Sequence, residues 1–194
     1  MNEQLLLWIN QGWAHPWLDV FFAWISQSKA FSIPLLALLL GGFSYRFGTN
    51  GAKFWLISVL VIGLSDQLGV LIKMLTAQPR PCAELVGLVR ETISPFHINC
   101  SHNLTGMPSN HAFNFFTFAM FTSLIIRSKA WTGFIFSLAT LVALSRVYLG
   151  VHYPSQIFVG ALLGLILGFA TAKIGLKYLS FLKTIQNKGA ENIA

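Results

Sequence analysis

Seven side chains in this 194-residue chain are of kinds that hold an anion and move a proton, and they fall in three short stretches. Lys73 and Arg80 lie in the first, which ends at Pro81. Ser109, Asn110 and His111 follow Pro108 in the second, and Arg146 and His152 stand in the third, which runs from Ser145 to Gln156. Three permanent cations beside two imidazoles make a poor cation site and a good anion site. Arginine presents a planar fork that matches phosphate oxygens, and lysine adds a point charge. Pro108-Ser109-Asn110 precedes an apolar helical run, so a helix is expected to start there. The unpaired N–H groups of its first turn, with Ser109 as cap, suit a phosphate, and such donors stabilise the charge that builds up as a phosphoryl group is transferred. Two histidines allow a division of labour in which one neutral imidazole attacks phosphorus and the other protonates the leaving oxygen. Both roles are accessible near neutral pH, because the ordinary histidine pKa is about 6.5. No acidic cluster is available to hold Mg²⁺, and two histidines among cations would bind Zn²⁺ poorly. The expected reaction uses no metal and no cofactor.

These residues need elements to carry them, and the composition says which. The chain is 55% hydrophobic and 10% charged, where soluble domains carry about 25% charged residues. Apolar runs without two-residue alternation disfavour a β-barrel and point to an all-α, polytopic membrane bundle. Spans are expected at about 31–47, 53–75, 111–126, 130–148 and 156–177. Residues 1–28 carry Trp8, Trp13, Trp17 and Trp24 and are broken by Asn10, His15-Pro16 and Asp19. They read as one or two interfacial helices, with a sixth span as the alternative. The whole chain reads as one membrane domain, with a core at 30–178 and a cytoplasmic tail at 179–194.

The formal net charge of +7 comes from dispersed residues and includes no basic run, so nucleic acid is not an expected partner. The charge instead sets topology. Arg46, Lys53, Arg127, Lys129, Lys173, Lys177, Lys183 and Lys188 share one side if five spans alternate, and that side is cytoplasmic by the positive-inside rule. All three chemical stretches then lie together on the other face. The long connection there, about 76–110, contains Cys82 and Cys100, for which a disulfide is expected on an oxidising face. Asp66 lies inside the second span, two turns before Lys73. It reads as a structural partner for a polar group in the bundle, with a part in proton transfer as the alternative.

The three stretches resemble the motifs of the type 2 phosphatidic acid phosphatase (PAP2) superfamily, which shares its site with bacterial acid phosphatases and vanadium haloperoxidases. Lys73 to Pro81 fits K-x6-R-P, Pro108 to His111 fits P-S-G-H, and Ser145-Arg146 with His152 fits S-R-x5-H-x3-D. The resemblance covers about residues 30 to 178 and leans toward small bacterial membrane members acting on undecaprenyl diphosphate, lipid A or phosphatidylglycerophosphate. It implies that Lys73, Arg80 and Arg146 hold the phosphate, helped by Ser109 and the amide of Asn110. It further implies that His152 is the nucleophile and His111 the general acid. Two residues depart from the pattern. Asn110 replaces a glycine, and Gln156 replaces the aspartate that orients the nucleophilic histidine. Glutamine keeps a hydrogen-bond acceptor for the imidazole but no charge; Asp66 would compensate only if folded beside His152.

The expected function is hydrolysis of a membrane lipid phosphate, undecaprenyl diphosphate or a related lipid, through a phosphohistidine. The expected location is the outer face of a bacterial inner membrane. A lipid-to-lipid phosphotransferase and a non-catalytic lipid-phosphate binder or transporter are the alternatives.

Overall fold

The computed structural model describes every residue except 91, 93, 97–99, 101–102 and 192–194, with the backbone alone of 190 and 191. The described residues form helices and loops without strands. Two short helices, α1 (Asn2–Gly12) and α2 (Pro16–Ile25), make up the N-terminal region. Proline at the first position of α2 and the His15 ring accepting from the Trp17 N–H start the second of them. Trp8 and Trp17 are exposed, as expected for rings at headgroup depth. A π-helical turn, Ser28–Ser32, leads into α3 (Ile33–Phe47). Then come α4 (Thr49–Thr76), the single turn α5 (Pro81–Glu84), α6 (Asn110–Ile126), α7 (Lys129–Tyr148) and α8 (Pro154–Tyr178).

Among the described residues, four stretches are long and apolar enough to cross a membrane: Ser28–Phe47, Thr49–Glu84, Lys129–Tyr148 and Pro154–Tyr178. The fifth expected segment, α6, has 17 residues, at the short end of what spans a bilayer. It sits in the middle of the bundle, against α4, α7 and α8. The tail folds as a further helix, α9 (Ser180–Glu191), which buries Leu182 and Ile185 near the C-terminal end of α6.

The tightest packing joins α6 to α8. Gly160, Gly164 and Gly168 recur every four residues, so they share one face of α8. A Cβ added to them would fall 2.7, 2.6 and 2.5 Å from the carbonyl oxygens of Ser109, Phe113 and Thr117 in turn. Only glycine lets the two backbones run this close, the small-xxx-small solution to packing in lipid. Phe158, Leu162, Ile166 and Phe169 point outward from the same helix. The register brings the N-terminal ends of α6 and α8 together, where the Ser109 N–H donates to the Gln156 carbonyl at 3.1 Å.

The 76–110 connection is tied down at several points. Cys82 and Cys100 are joined by a disulfide, with Cα atoms 6.0 Å apart. The Gly106 N–H donates to the Gln78 carbonyl at 2.7 Å, and the Tyr153 hydroxyl reaches Glu84 at 2.8 Å. Arg90 forms a two-pronged ion pair with Asp19 of α2, at 2.9 and 2.7 Å, and also donates to the Tyr148 hydroxyl. Arg90 and Asp19 thus clamp the loop to α2 and α7.

Candidate active site

The three stretches meet. Lys73, in the last turn of α4, sends its ammonium group to the carbonyls of Thr105 and Pro108, at the threshold of α6. The charges of Arg80 and Arg146 both act on it. The same three cations act on both His111 and His152. Ser109, Lys73, Arg146, His152 and Gln156 are all buried.

Burial leaves several polar atoms without a protein partner. Arg80 Nε, Arg146 Nε and Ser109 Oγ are enclosed and bonded to nothing among the described residues. Buried donors of this kind are normally satisfied, so each retains a bond it could give to a group from outside the chain. Ser109 does occupy the position before α6, but its hydroxyl does not cap the helix. The expected cap is therefore corrected: the hydroxyl is enclosed and makes no bond to the helix it precedes. Asn110 opens α6, yet its side chain turns away to α4, donating to an Asp66 carboxylate oxygen at 2.8 Å. Gly69 makes room for it, since a Cβ there would sit 2.5 Å from Asn110 Oδ1.

His152 lies between α7 and α8, its backbone N–H bonded to the Arg146 carbonyl at 3.1 Å. Its Nδ1 is 3.1 Å from Gln156 Oε1. The orientation of that amide is set by two other bonds. The Tyr153 N–H needs an acceptor and finds Oε1 at 3.2 Å, while the Pro79 carbonyl needs a donor and finds Nε2 at 2.9 Å. With Oε1 facing the ring, His152 Nδ1 must carry the proton and Nε2 the lone pair. Gln156 therefore does for the tautomer what a carboxylate would do, without its charge. Burial, then the charges of Arg146, Arg80 and Lys73, hold the His152 pKa well below its ordinary value, with the Gln156 bond opposing. His152 is thus neutral at neutral pH, the form in which a nitrogen can attack.

Asp66 is not the partner of His152. One of its oxygens takes the amide of Asn110 at 2.8 Å and that of Asn114 at 3.0 Å, and Ser65 bonds Asn114 at 2.7 Å. The carboxylate is held across the α4–α6 interface, and the orienting contact belongs to Gln156.

Ser26, which ends α2, gave no signal in the sequence. Its carbonyl accepts from His111 Nε2 at 3.0 Å, and its hydroxyl accepts from an Arg146 guanidinium nitrogen. A carbonyl can only accept, so His111 Nε2 carries a proton, and in the neutral ring Nδ1 holds the lone pair. Half of this contact is backbone, which leaves no mark on residue type.

Comparison with known proteins adds a second line. Residues 54–178 match the PAP2 superfamily. A lipid A 4'-phosphatase of Porphyromonas gingivalis is 34% identical over 178 residues, spanning 90% of this chain and 72% of the relative. A putative undecaprenyl-diphosphatase, YbjG of Escherichia coli, is 31% identical over 82% of this chain and 74% of its own length. The crystal structure of Aquifex aeolicus LpxE superposes with a TM-score of 0.66 at 31% identity, covering 89% of this chain and 94% of that one.

Proposed function

The chain belongs to the PAP2 superfamily, and from that premise we propose that it hydrolyses a lipid phosphomonoester or diphosphate through a phosphohistidine on His152. The observation that carries this reading is the trio of enclosed, unpartnered groups, Arg80 Nε, Arg146 Nε and Ser109 Oγ, with both arginine charges acting on a histidine whose Nε2 holds the lone pair. A phosphate brings the acceptors these groups lack, and Lys73 adds charge neutralisation.

In the first step His152 Nε2 forms a bond to phosphorus while the bond from phosphorus to the lipid oxygen breaks. The negative charge of the bound phosphate lets His111 enter as the imidazolium, which gives its Nδ1 proton to that departing oxygen and keeps its Nε2 proton on the Ser26 carbonyl. In the second step His111 accepts a proton from water, the oxygen attacks phosphorus, and inorganic phosphate leaves as His152 is restored. The arginines supply the donors that strengthen as charge accumulates on the equatorial oxygens. No step draws on a metal ion.

A lipid substrate follows from placement, since the site opens at the end of a membrane bundle. Arg127, Lys129 and Lys173 gather at the other end of α6. By the positive-inside rule this distribution supports a site on the periplasmic face of a bacterial inner membrane. Lipid A, undecaprenyl diphosphate and phosphatidylglycerophosphate, the lipids named for the relatives, are the candidate substrates.

The test is phosphate release from these lipids by purified protein in detergent with EDTA present. The wild type is expected to release phosphate and His152→Ala is expected to release none. Equal release by the variant would sink the mechanism, and complete dependence on an added divalent ion would sink its metal independence.

A further inference from the structure

A cavity of about 260 Å³ lies between α3, α4 and α6, next to the phosphate site. Leu35, Leu39, Ile62 and Phe118 make its apolar part. Asp66, Asn110, His111 and Asn114, with Ser28 and Ser32 of the π-helical turn, make its polar part, and His111 is shared with the phosphate site. The Asp66 charge also acts on Lys73, so the cavity and the cations adjoin.

The position of the Asp66 oxygens is what distinguishes this cavity from a simple greasy groove. The amides of Asn110 and Asn114 both donate to Oδ1, at 2.8 and 3.0 Å. Oδ2 receives no bond among the described residues. It is not enclosed either, since it is absent from the buried atoms that lack partners. A carboxylate has about four lone-pair directions, and two remain open here. A hydrocarbon chain laid against this oxygen would strip its water and return nothing, whereas a hydroxyl or amide N–H would replace the water bond. Asn110 stands where the family pattern has glycine, so one of the two amides that set the carboxylate is a departure of this chain.

Resting on the phosphatase reading, we propose that Asp66 selects lipid phosphates that carry a hydrogen-bond donor, a hydroxyl or an amide N–H, a few atoms from the phosphate. The geometry disfavours a plain polyprenyl or fully acylated chain at that place. The substrate class is then a phosphorylated lipid with a hydroxylated or amidated headgroup region.

The experiment compares two lipids that differ by one proton-bearing group: 1-oleoyl lysophosphatidate, with a free 2-hydroxyl, and its 2-O-methyl ether. With full-length protein in detergent, kcat/KM for the hydroxyl lipid is expected to exceed that for the ether by about 10- to 100-fold, the usual cost of leaving a desolvated charged acceptor unpaired. In Asp66→Asn, which is isosteric and puts an N–H₂ where Oδ2 was, the ratio is expected to fall to about one. A wild-type ratio near one, or a ratio that survives Asp66→Asn, overturns the proposal. The wild-type comparison decides the matter even if the variant does not fold. Equal release from both lipids removes only the role of Asp66. No release from either lipid, nor from any lipid phosphate, removes the phosphatase reading and this proposal with it.

Discussion

His152 and Gln156 stand one helical turn apart, and the amide oxygen of the second lies 3.1 Å from Nδ1 of the first. The Pro79 carbonyl, one residue before Arg80, holds the other end of the same amide at 2.9 Å. A single neutral side chain thus sets the tautomer of the candidate nucleophile and ties the third motif to the first.

Two substitutions separate those duties. Gln156→Leu removes all three bonds of the amide and is expected to lower kcat by about 10- to 100-fold, the range by which losing the second partner of a metal-site histidine lowers activity. Gln156→Asp keeps the acceptor and adds charge, so activity is expected to hold or rise. Its pH profile carries the sharper signature. In the wild type, burial and then three cations hold the His152 pKa well below its ordinary value. The neutral, reactive ring persists above that depressed pKa and is lost as pH falls through it. A carboxylate at 156 favours the imidazolium, raises the pKa, and should move the acid limb of kcat/KM toward higher pH. An unmoved limb would show that His152 does not set it.

Arg146→Lys tests the anion site. Arg146 is buried, donates to the Ser26 hydroxyl, and keeps Nε unpartnered. Lysine keeps the charge and loses the fork. Turnover is expected to drop by about 10²- to 10³-fold, as when one positioned donor to a developing charge is removed. A variant within twofold of wild type would mean that charge alone suffices here.

Gly164→Ala tests the α6–α8 contact apart from any chemistry. The added Cβ would lie 2.6 Å from the Phe113 carbonyl oxygen, so the backbones must part. A stability loss of about 1–3 kcal/mol is expected, read as a lower melting temperature in detergent. Gly63→Ala is the control, because a Cβ there meets nothing within 4 Å. Equal melting of the two variants would remove the close packing as a source of stability.

The Cys82–Cys100 bond closes a separation of 18 residues. Replacing both cysteines by alanine is expected to cost about 3 kcal/mol by the loop-entropy account, again as a lower melting temperature. Cys82 lies two residues from Arg80, so KM should rise more than kcat falls. An unchanged KM would show that the short α5 turn holds Arg80 without the disulfide.

The candidate site residues and the membrane fold were legible in the chain itself. Lys73, Arg80, His111, Arg146 and His152 are rare, costly side chains in an apolar sequence, and their spacing matches the family pattern without reference to coordinates. Long apolar runs can only become helices in lipid, because the backbone must satisfy itself there. The glycines at 160, 164 and 168 share one side of α8 by their period of four, but that they admit the α6 backbone came from the structure. What only the tertiary structure decided is which group each of these residues meets. Ser26 touches His111 through a backbone carbonyl, which every residue has. The Gln156 amide is oriented by Pro79, 77 positions away. Ser109 occupies a capping position and withholds its hydroxyl, and Asp66 faces two asparagines of α6 rather than His152. Spacing along the chain selects residue types and faces; partners across the bundle depend on helix register, and that is settled by how closely α6 and α8 can pack.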